Sequence, residues 1–508
     1  MEEKARIVIL GGGYGGVEAT LALEKRYRKK PGIDILLIDK NGFHTLMTEL
    51  HEVAGWRTEP ESVQVSFRKI FGGRRVRVAI DKIETIDFEA RTLKSATASY
   101  PYDYLVIGSG AEPEYFDVPG VKANAFTLWS FDDAMLLRRH VEDCFRRAES
   151  ATDPAARKRL LRFVVAGAGF TGIELAGEFL EMRARFCEKH GIEPSEVEVS
   201  VVEALPNVLP MLEDKLRAKA DAYLRKLGAS IMTNSPIVRA EPGKIFLKDG
   251  GVIEAETFVW TCGVRGSHFA GMLDLTKGRC SNRACEFVKN QGTCGVKDCA
   301  FKKTERDLSG KGGRLLANEF MESVDYPNVY VVGDNLWFLE EKKPLPQIVE
   351  TALQTAETAA RNIMASIEGG AKHPFKSNYH GFMVSVGGKW AVSNAGGMKL
   401  SGLPAMAMKH LVNLHYLFGI AGVNQCWEYL KHEFLDMRDG RSITRGLLSY
   451  KIRPHWGFLL RLWLGFSWIV EATNKITEGW LNFDGRSRSG WLFSKGVLQA
   501  GTDAFRQA

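Results

Sequence analysis

Three sets of residues in this chain have types and spacings that could do chemistry. The first is a glycine cluster: residues 6–16 read RIVILGGGYGG, an apolar strand running into G-x-G-x-x-G at Gly11, Gly13 and Gly16. The second repeats it, with Gly167, Gly169 and Gly172 in LRFVVAGAGFTGIELAGEF. Glycines at these positions permit a tight turn and a close approach of backbone to a pyrophosphate, while the following helix offers unpaired N–H groups to the phosphates. Each cluster is followed by a strand ending in an acid, Asp39 in IDILLID and Glu203 in VEVSVVE, where a carboxylate can accept hydrogen bonds from a ribose. Glu203 would repel a 2′-phosphate, and ALPNVLPMLEDK after it supplies no early arginine, so the second site is expected to prefer NADH to NADPH. The third set is Cys280, Cys285, Cys294 and Cys299, spaced C-x4-C-x8-C-x4-C. That spacing suits a structural Zn²⁺ site, with an iron–sulfur cluster as a variant. It also suits a thiol/disulfide switch or unligated surface thiols.

These residues need elements to position them. YPYDYLVIGSGAEP, residues 100–113, reads as the strand returning from the first glycine unit, and NVYVVGD, residues 328–334, as a later strand ending in Gly333 and Asp334. The expected fold class is therefore α/β: two Rossmann-like dinucleotide-binding domains, the second inserted in the first, plus a C-terminal membrane-associating region. The first domain would comprise 1–115 and 315–399, with the inserted domain at 116–279 and a Cys-rich insertion at 280–314. An amphipathic region would follow at 400–444 and a Trp/Arg-rich extension at 445–508. Asp334 at the end of the returning strand could reach the ribityl chain of a flavin, which places FAD in the outer domain and NADH in the inserted one.

Composition bounds the partners. In 508 residues, 45% hydrophobic and 25% charged is ordinary soluble composition and argues against a polytopic membrane protein. A net charge of +7 is too small to argue for nucleic acid. The opening MEEKARIVIL has no leader pattern, so the body of the protein is expected in the cytoplasm, where cysteines are more often free, metal-bound or redox-active than structurally paired. Residues 403–436 mix apolar with basic and polar positions at helical spacing, as in an interfacial amphipathic surface or a helix packed on the first domain. Beyond them lie tryptophans 456, 463, 468, 480 and 491, five of the chain's eleven. GFLLRLWLGFSWIV there is short and interrupted by Arg461, which suits an interfacial anchor, with a single span over 456–481 as the alternative.

Eight blocks occur in one order: ILGGGYGG, DKNGFHTLMTELHEVAG, YDYLVIGSGAEP, GAGFTGIELAGEF, WTCGVRG, VYVVGDN, PLPQIVETALQTAE and GGMKLSGLPAMAMKHLVNLHYLFG. Over residues 5–435 they resemble the type II NADH dehydrogenases, single-subunit, non-proton-pumping NADH:quinone oxidoreductases of the two-dinucleotide-binding-domain flavoprotein group. The resemblance implies FAD on Gly11, Gly12, Gly13, Tyr14 and Gly15, on Asp39, Lys40 and Asp334, on the Val349–Glu350 turn, and on Lys399 near the flavin's polar edge. It places Ile83 against adenine through its backbone. Glu174 falls beside nicotinamide and flavin, although an acid there could also simply cap a helix start. It further implies a membrane quinone as second substrate, a homodimer, and peripheral attachment to the cytoplasmic side of the cell membrane.

One block departs from the family. Where A-Q-x-x-x-Q would meet the quinone, this chain has Val349, Glu350 and Gln354. A glutamate can donate to a quinone carbonyl only when protonated, so Glu350 either sits where its pKa is raised and delivers a proton, or faces solvent and leaves Gln354 alone at the substrate. Two other functions fit the architecture. A sulfide:quinone oxidoreductase would use a cysteine at the flavin, for which Cys262 in WTCGVRG is the candidate. A non-enzymatic flavin- or nicotinamide-sensing regulator on the membrane would need an output domain, and no segment resembles one.

Overall fold

The structure is a computed structural model that describes residues 5–277, 313–341, 343–435 and 454–477. Cys280, Cys285, Cys294 and Cys299 lie outside the described residues. The chain divides into two compact units, one of residues 1–433 with 441–443, the other of 434–440 with 444–508.

The first unit begins with β1 (Ala5–Leu10), whose last four residues are buried. An uninterrupted apolar run of this kind suits a parallel strand covered on both faces. It leads through the glycine turn into α1 (Tyr14–Tyr27) and back to β2 (Ile33–Asp39), which pairs in parallel with β1. Strands β3 (Arg77–Ile80) and β4 (Tyr104–Ile107) extend the sheet on its two sides, β3 beside β2 and β4 beside β1. A three-stranded antiparallel sheet, residues 83–101, lies between β3 and β4 in sequence.

A second unit of the same plan follows within this body. It runs from β5 (Arg162–Ala166) through a glycine turn to α2 (Phe170–His190) and β6 (Glu198–Val202), then to β7 (Ala229–Met232) and β8 (Thr257–Trp260). Its sheet order is β7-β6-β5-β8, all parallel. α2 ends at Gly191 in the left-handed conformation, φ +61°, a helix stop that glycine adopts without Cβ strain.

The chain then returns to the first sheet. β9 (Val329–Val331) pairs in parallel with β4, giving the order β9-β4-β1-β2-β3. The first sheet is thus assembled from residues on both sides of the second unit. Gly333 and Asp334 follow β9 directly, and α3 (Val349–Glu368) packs along α1. A meander of β10 (Gly381–Val386), β11 (Trp390–Ala395) and β12 (Met398–Gly402) leads into the long helix α4 (Leu403–Leu430).

α4 has an inverted amphipathic pattern. Lys409, His410, Gln425 and Tyr429 are buried with Met406, Leu417 and Ile420, whereas Leu411, Phe418, Val423 and Trp427 are exposed. Gly422, at φ +75° and ψ −167°, breaks the helical path within α4. In the other unit α5 (Pro454–Thr477) exposes Leu462, Trp463, Phe466, Trp468 and Ile469. Among the described residues no helix is long and apolar enough to cross a membrane.

Candidate functional site

The two glycine turns are built alike. Gly11 and Gly167 take φ +103° and +93°, a region open to glycine, and Gly13 and Gly169 start their helices with matching extended angles. A Cβ on Gly16 would lie 1.7 Å from the Gly11 carbonyl oxygen, and one on Gly172 would lie 1.9 Å from that of Gly167. Only glycine allows strand and helix to approach so closely. The acids close both turns: Asp39 accepts from the N–H groups of Gly12 (2.6 Å) and Asn41 (2.7 Å). Glu203 accepts from those of Ala168 (2.6 Å) and Leu205 (2.8 Å). Neither helix start carries a side-chain cap, so its first N–H groups are available to a phosphate.

A cavity of about 2340 Å³ opens on the first turn. Gly11, Gly12, Gly13, Tyr14, Gly15, Asp39 and Lys40 line it, as do Ile83, Asp334, Val349, Glu350 and Gln354. Burial pushes the Asp334 carboxyl up to about 6 against the pull of Arg314. At its far wall the cavity meets Phe170, Thr171 and Glu174, which belong to the first turns of α2. The two nucleotide units therefore share a boundary at the start of α2, and Glu174 stands on it.

Glu174 sits in a polar corner beneath the cavity. Its Oε1 faces the Ser385 N–H and hydroxyl at 3.4 Å, and its Oε2 lies 3.7 Å from His51 Nδ1. Burial, reinforced by the negative charges of Glu49 and Glu178, pushes its carboxyl up to about 8 although Lys409 pulls the other way. Glu174 thus holds a proton at neutral pH. Behind it lies a buried charge cluster. Lys409 reaches Glu49 (3.0 Å) and Glu52 (2.6 Å), and Arg57 joins Glu52, Glu178 (2.9 Å) and Glu433 (3.0 Å). Four carboxylates thus meet two cations. Burial, followed by the Lys409 cation, holds His51 well below its ordinary value and therefore neutral.

The residues near the start of α3 are arranged differently. Glu350 accepts from the His380 main-chain N–H and faces its ring nitrogen Nδ1 at 2.9 Å. The Gln354 amide donates to the Asn378 carbonyl (2.9 Å) and accepts from the Asn378 N–H (2.8 Å), so both ends are engaged with main chain.

Residues 5–279 match the family described as pyridine nucleotide-disulphide oxidoreductase. The chain belongs to this family. Among curated proteins it is similar to the type II NADH:quinone oxidoreductases of Staphylococcus saprophyticus and Staphylococcus aureus. Each is 28% identical over 428 residues, covering 83% of this chain and 97% of the relative. Its fold is similar to that of NDH2 from Plasmodium falciparum, solved in complex with NADH, at a TM-score of 0.70 and 14% identity over 84% of this chain and 98% of the other. It is also similar to the sulfide:quinone oxidoreductase of Aquifex aeolicus, at 0.62 and 16% identity over 83% and 92%.

Within this pyridine nucleotide-disulphide oxidoreductase two expectations need correction. Lys399 does not line the cavity: on β12 at the surface its ammonium pairs with Glu213 at 2.5 Å, because the β10–β12 meander turns it toward the second unit. Cys262 is not at the first turn but beside the second, its Cα within 3.1 Å of a Cβ built on Gly167, and burial with Glu203 nearby pushes its thiol up to about 12. Among the described residues no cysteine lines the cavity, and no His/Cys/Asp/Glu group is arranged to hold a metal ion. Sequence reasoning missed the Glu49–Glu52–Arg57–Lys409 cluster. The signal was present: TELHEVAG and AMAMKHLV place charges inside apolar helical runs, and a buried charge requires a partner.

Proposed function

We propose that this chain is a type II NADH:quinone oxidoreductase, a peripheral membrane FAD enzyme that passes electrons from NADH to a membrane quinone without pumping protons. The observation that carries the reading is the shared boundary: the cavity on the first glycine turn ends at Glu174 on the helix of the second. Two nucleotides bound on their own turns would bring their redox rings together there.

The residues fit FAD. Gly11, Gly12, Gly13, Tyr14 and Gly15 line the cavity, with a Cβ on Gly13 meeting only open space and one on Gly16 clashing with the Gly11 carbonyl behind the turn; Asp39 and Lys40 lie at the ribose and phosphates, and Asp334 supplies a half-buried acceptor with no carboxylate hydrogen bond among the described residues. Ile83 lines the cavity wall toward the adenine end. When bound, FAD supplies the chemistry of accepting a hydride and releasing an electron pair to a quinone. The chain supplies the rest. Gly167, Gly169, Gly172 and Glu203 bind NADH, with Glu203 selecting a free 2′-hydroxyl. Glu174 keeps its proton at neutral pH and so presents a neutral donor where nicotinamide and flavin meet. Val349, Glu350 and Gln354 form the quinone side, Gln354 by fixing the Asn378 main chain.

The apolar outer face of α4 suits the collection of a lipid-soluble substrate. Val412, Tyr416, Gly419 and Ile420 of this helix line the cavity, while Leu411, Phe418, Val423 and Trp427 on its other side are exposed. A contiguous exposed apolar face of this kind is stable against a bilayer surface and costly in water. Attachment to the cytoplasmic side and a homodimer are part of the proposal and rest on the family resemblance, as does a Zn²⁺ site at the four cysteines on their spacing. No observation favours sulfide oxidation, since Cys262 lies away from the cavity with a protonated thiol, which is a poor nucleophile.

The deciding experiment mixes the purified flavoprotein with NADH anaerobically and then with menaquinone and ubiquinone analogues. NADH should bleach the flavin and a quinone should restore its colour. Bleaching by sulfide alone, or no restoration by any quinone, would sink the reading.

A further inference from the structure

The departure at Glu350 creates a pair that the sequence pattern does not announce. Glu350 lies in the first turn of α3, and its two oxygens sit 3.2 and 3.1 Å from the His380 main-chain nitrogen. His380 Nδ1 is 2.9 Å from Oε1. A carboxylate only accepts, so Nδ1 carries hydrogen and Nε2 is left as the nitrogen that can take up or release a proton. Both side chains line the cavity, yet the His380 ring is 69% exposed. One imidazole therefore touches water and the cavity at once.

The segment that carries this ring is pinned. The Gln354 amide grips Asn378 from both sides, the Tyr379 hydroxyl meets Thr351 Oγ1 at 3.1 Å, and the His380 carbonyl accepts from Gly396 N–H at 2.6 Å. Among the described residues this segment is thus bonded to Gln354 and Thr351 on α3 and to the Gly396 main chain after β11, and the Glu340 carboxylate, which accepts from Ser377, adds a negative charge near Tyr379. None of them is a second cation.

Quinol formation has a defined proton requirement. NADH brings two electrons and one proton, the quinol carries two, and the second must come from water. We propose that His380, oriented by Glu350, is the group that hands this proton to the quinone oxygen. The inference rests on the quinone-reductase reading above and adds the donor to it. In the step the Nε2–H bond breaks as an O–H bond forms on the quinone oxygen, which has received the electron pair that originated in NADH. Water then reprotonates Nε2. A glutamine would only hold the carbonyl; the Glu350–His380 pair orients an imidazole and moves a proton.

The test compares the flavin-loaded full chain with His380→Asn, His380→Gly and Glu350→Gln, using a quinone or ferricyanide as acceptor. Ferricyanide takes electrons without protons, so its rate reports the NADH and flavin half of the cycle. Quinone turnover in both His380 variants should fall about tenfold or more. Their ferricyanide rates should stay near wild type, and added imidazole should restore quinone turnover in His380→Gly. Glu350→Gln should show a smaller, selective fall. Equal loss with both acceptors and no rescue, or unchanged quinone turnover in His380→Asn, would overturn the proposal. Wild-type protein that reduces ferricyanide but no quinone would instead overturn the reading beneath it.

Discussion

The two glycine turns of this protein are near copies in backbone, hydrogen bonding and sheet position, yet their surroundings differ. The first turn receives β9, Asp334, α3 and α4, all of which come from beyond the second unit, and a large cavity forms over it. The second keeps the four strands β7-β6-β5-β8 and receives the meander strand β10 along α2, with Phe382 against Phe170 at the helix start. A pyrophosphate cradle is therefore a local product of strand, glycine and helix. What rests in the cradle, and what reacts with it, depends on the elements the chain delivers later.

Breaking one turn at a time should separate the two sites. Gly16→Ala places a methyl 1.7 Å from a main-chain oxygen beneath the flavin, and the expected product is a protein purified without flavin absorbance and without activity with any acceptor. Gly172→Ala makes the equivalent clash, 1.9 Å from the Gly167 carbonyl and 2.7 Å from Thr261 Oγ1, in the other turn. It should yield a yellow protein whose flavin dithionite reduces but NADH no longer does. If both variants lost flavin equally, the division of labour between the turns would be wrong.

A subtler change probes the boundary itself. The Glu174 carboxyl is raised from 4.5 to about 8 in the folded protein. Its favourable protonated state is fully present below 4.5, and the stability it supports is lost as pH climbs through about 8. Glu174→Gln cannot ionise. Urea titrations from pH 5 to 9 should therefore show wild type losing up to a few kcal/mol relative to the variant, with the gap flat above pH 8 to 9. Parallel curves would mean that Glu174 is charged in the native protein. The smallest effect belongs to Lys399→Ala, which removes only a half-exposed ion pair with Glu213. It should change stability by less than about 1 kcal/mol and leave flavin absorbance unaltered; loss of flavin would return Lys399 to the first site.

The cradles were legible in advance because everything they need is close in sequence. Strand, turn, helix start and closing acid lie within residues 5–39 and 162–203; Gly11 and Gly167 are demanded by a positive φ, and Gly16 and Gly172 by a close approach of main chain. Glu174 came from the family resemblance, and in the structure it lines the cavity from the start of α2. Sequence reasoning failed for Lys399 and Cys262, whose neighbours Glu213 and Gly167 are set by how a meander and a strand end cross another unit. It was also blind to His380, 30 residues from Glu350, because nothing in YHGF marks a ring that will meet a carboxylate.

By itself, then, the sequence determined two glycine turns, an acid closing each and an α/β chain that leaves its first sheet and returns to it. Only the tertiary structure decided which charges meet. Glu52 and Lys409 are 357 residues apart, and Arg57 and Glu433 are 376 apart, yet all are buried in one cluster beneath the cavity. The reason is physical. Backbone conformation is governed by the residues that share it, whereas the partner of a buried charge is whatever oppositely charged group the packing of distant helices brings within reach.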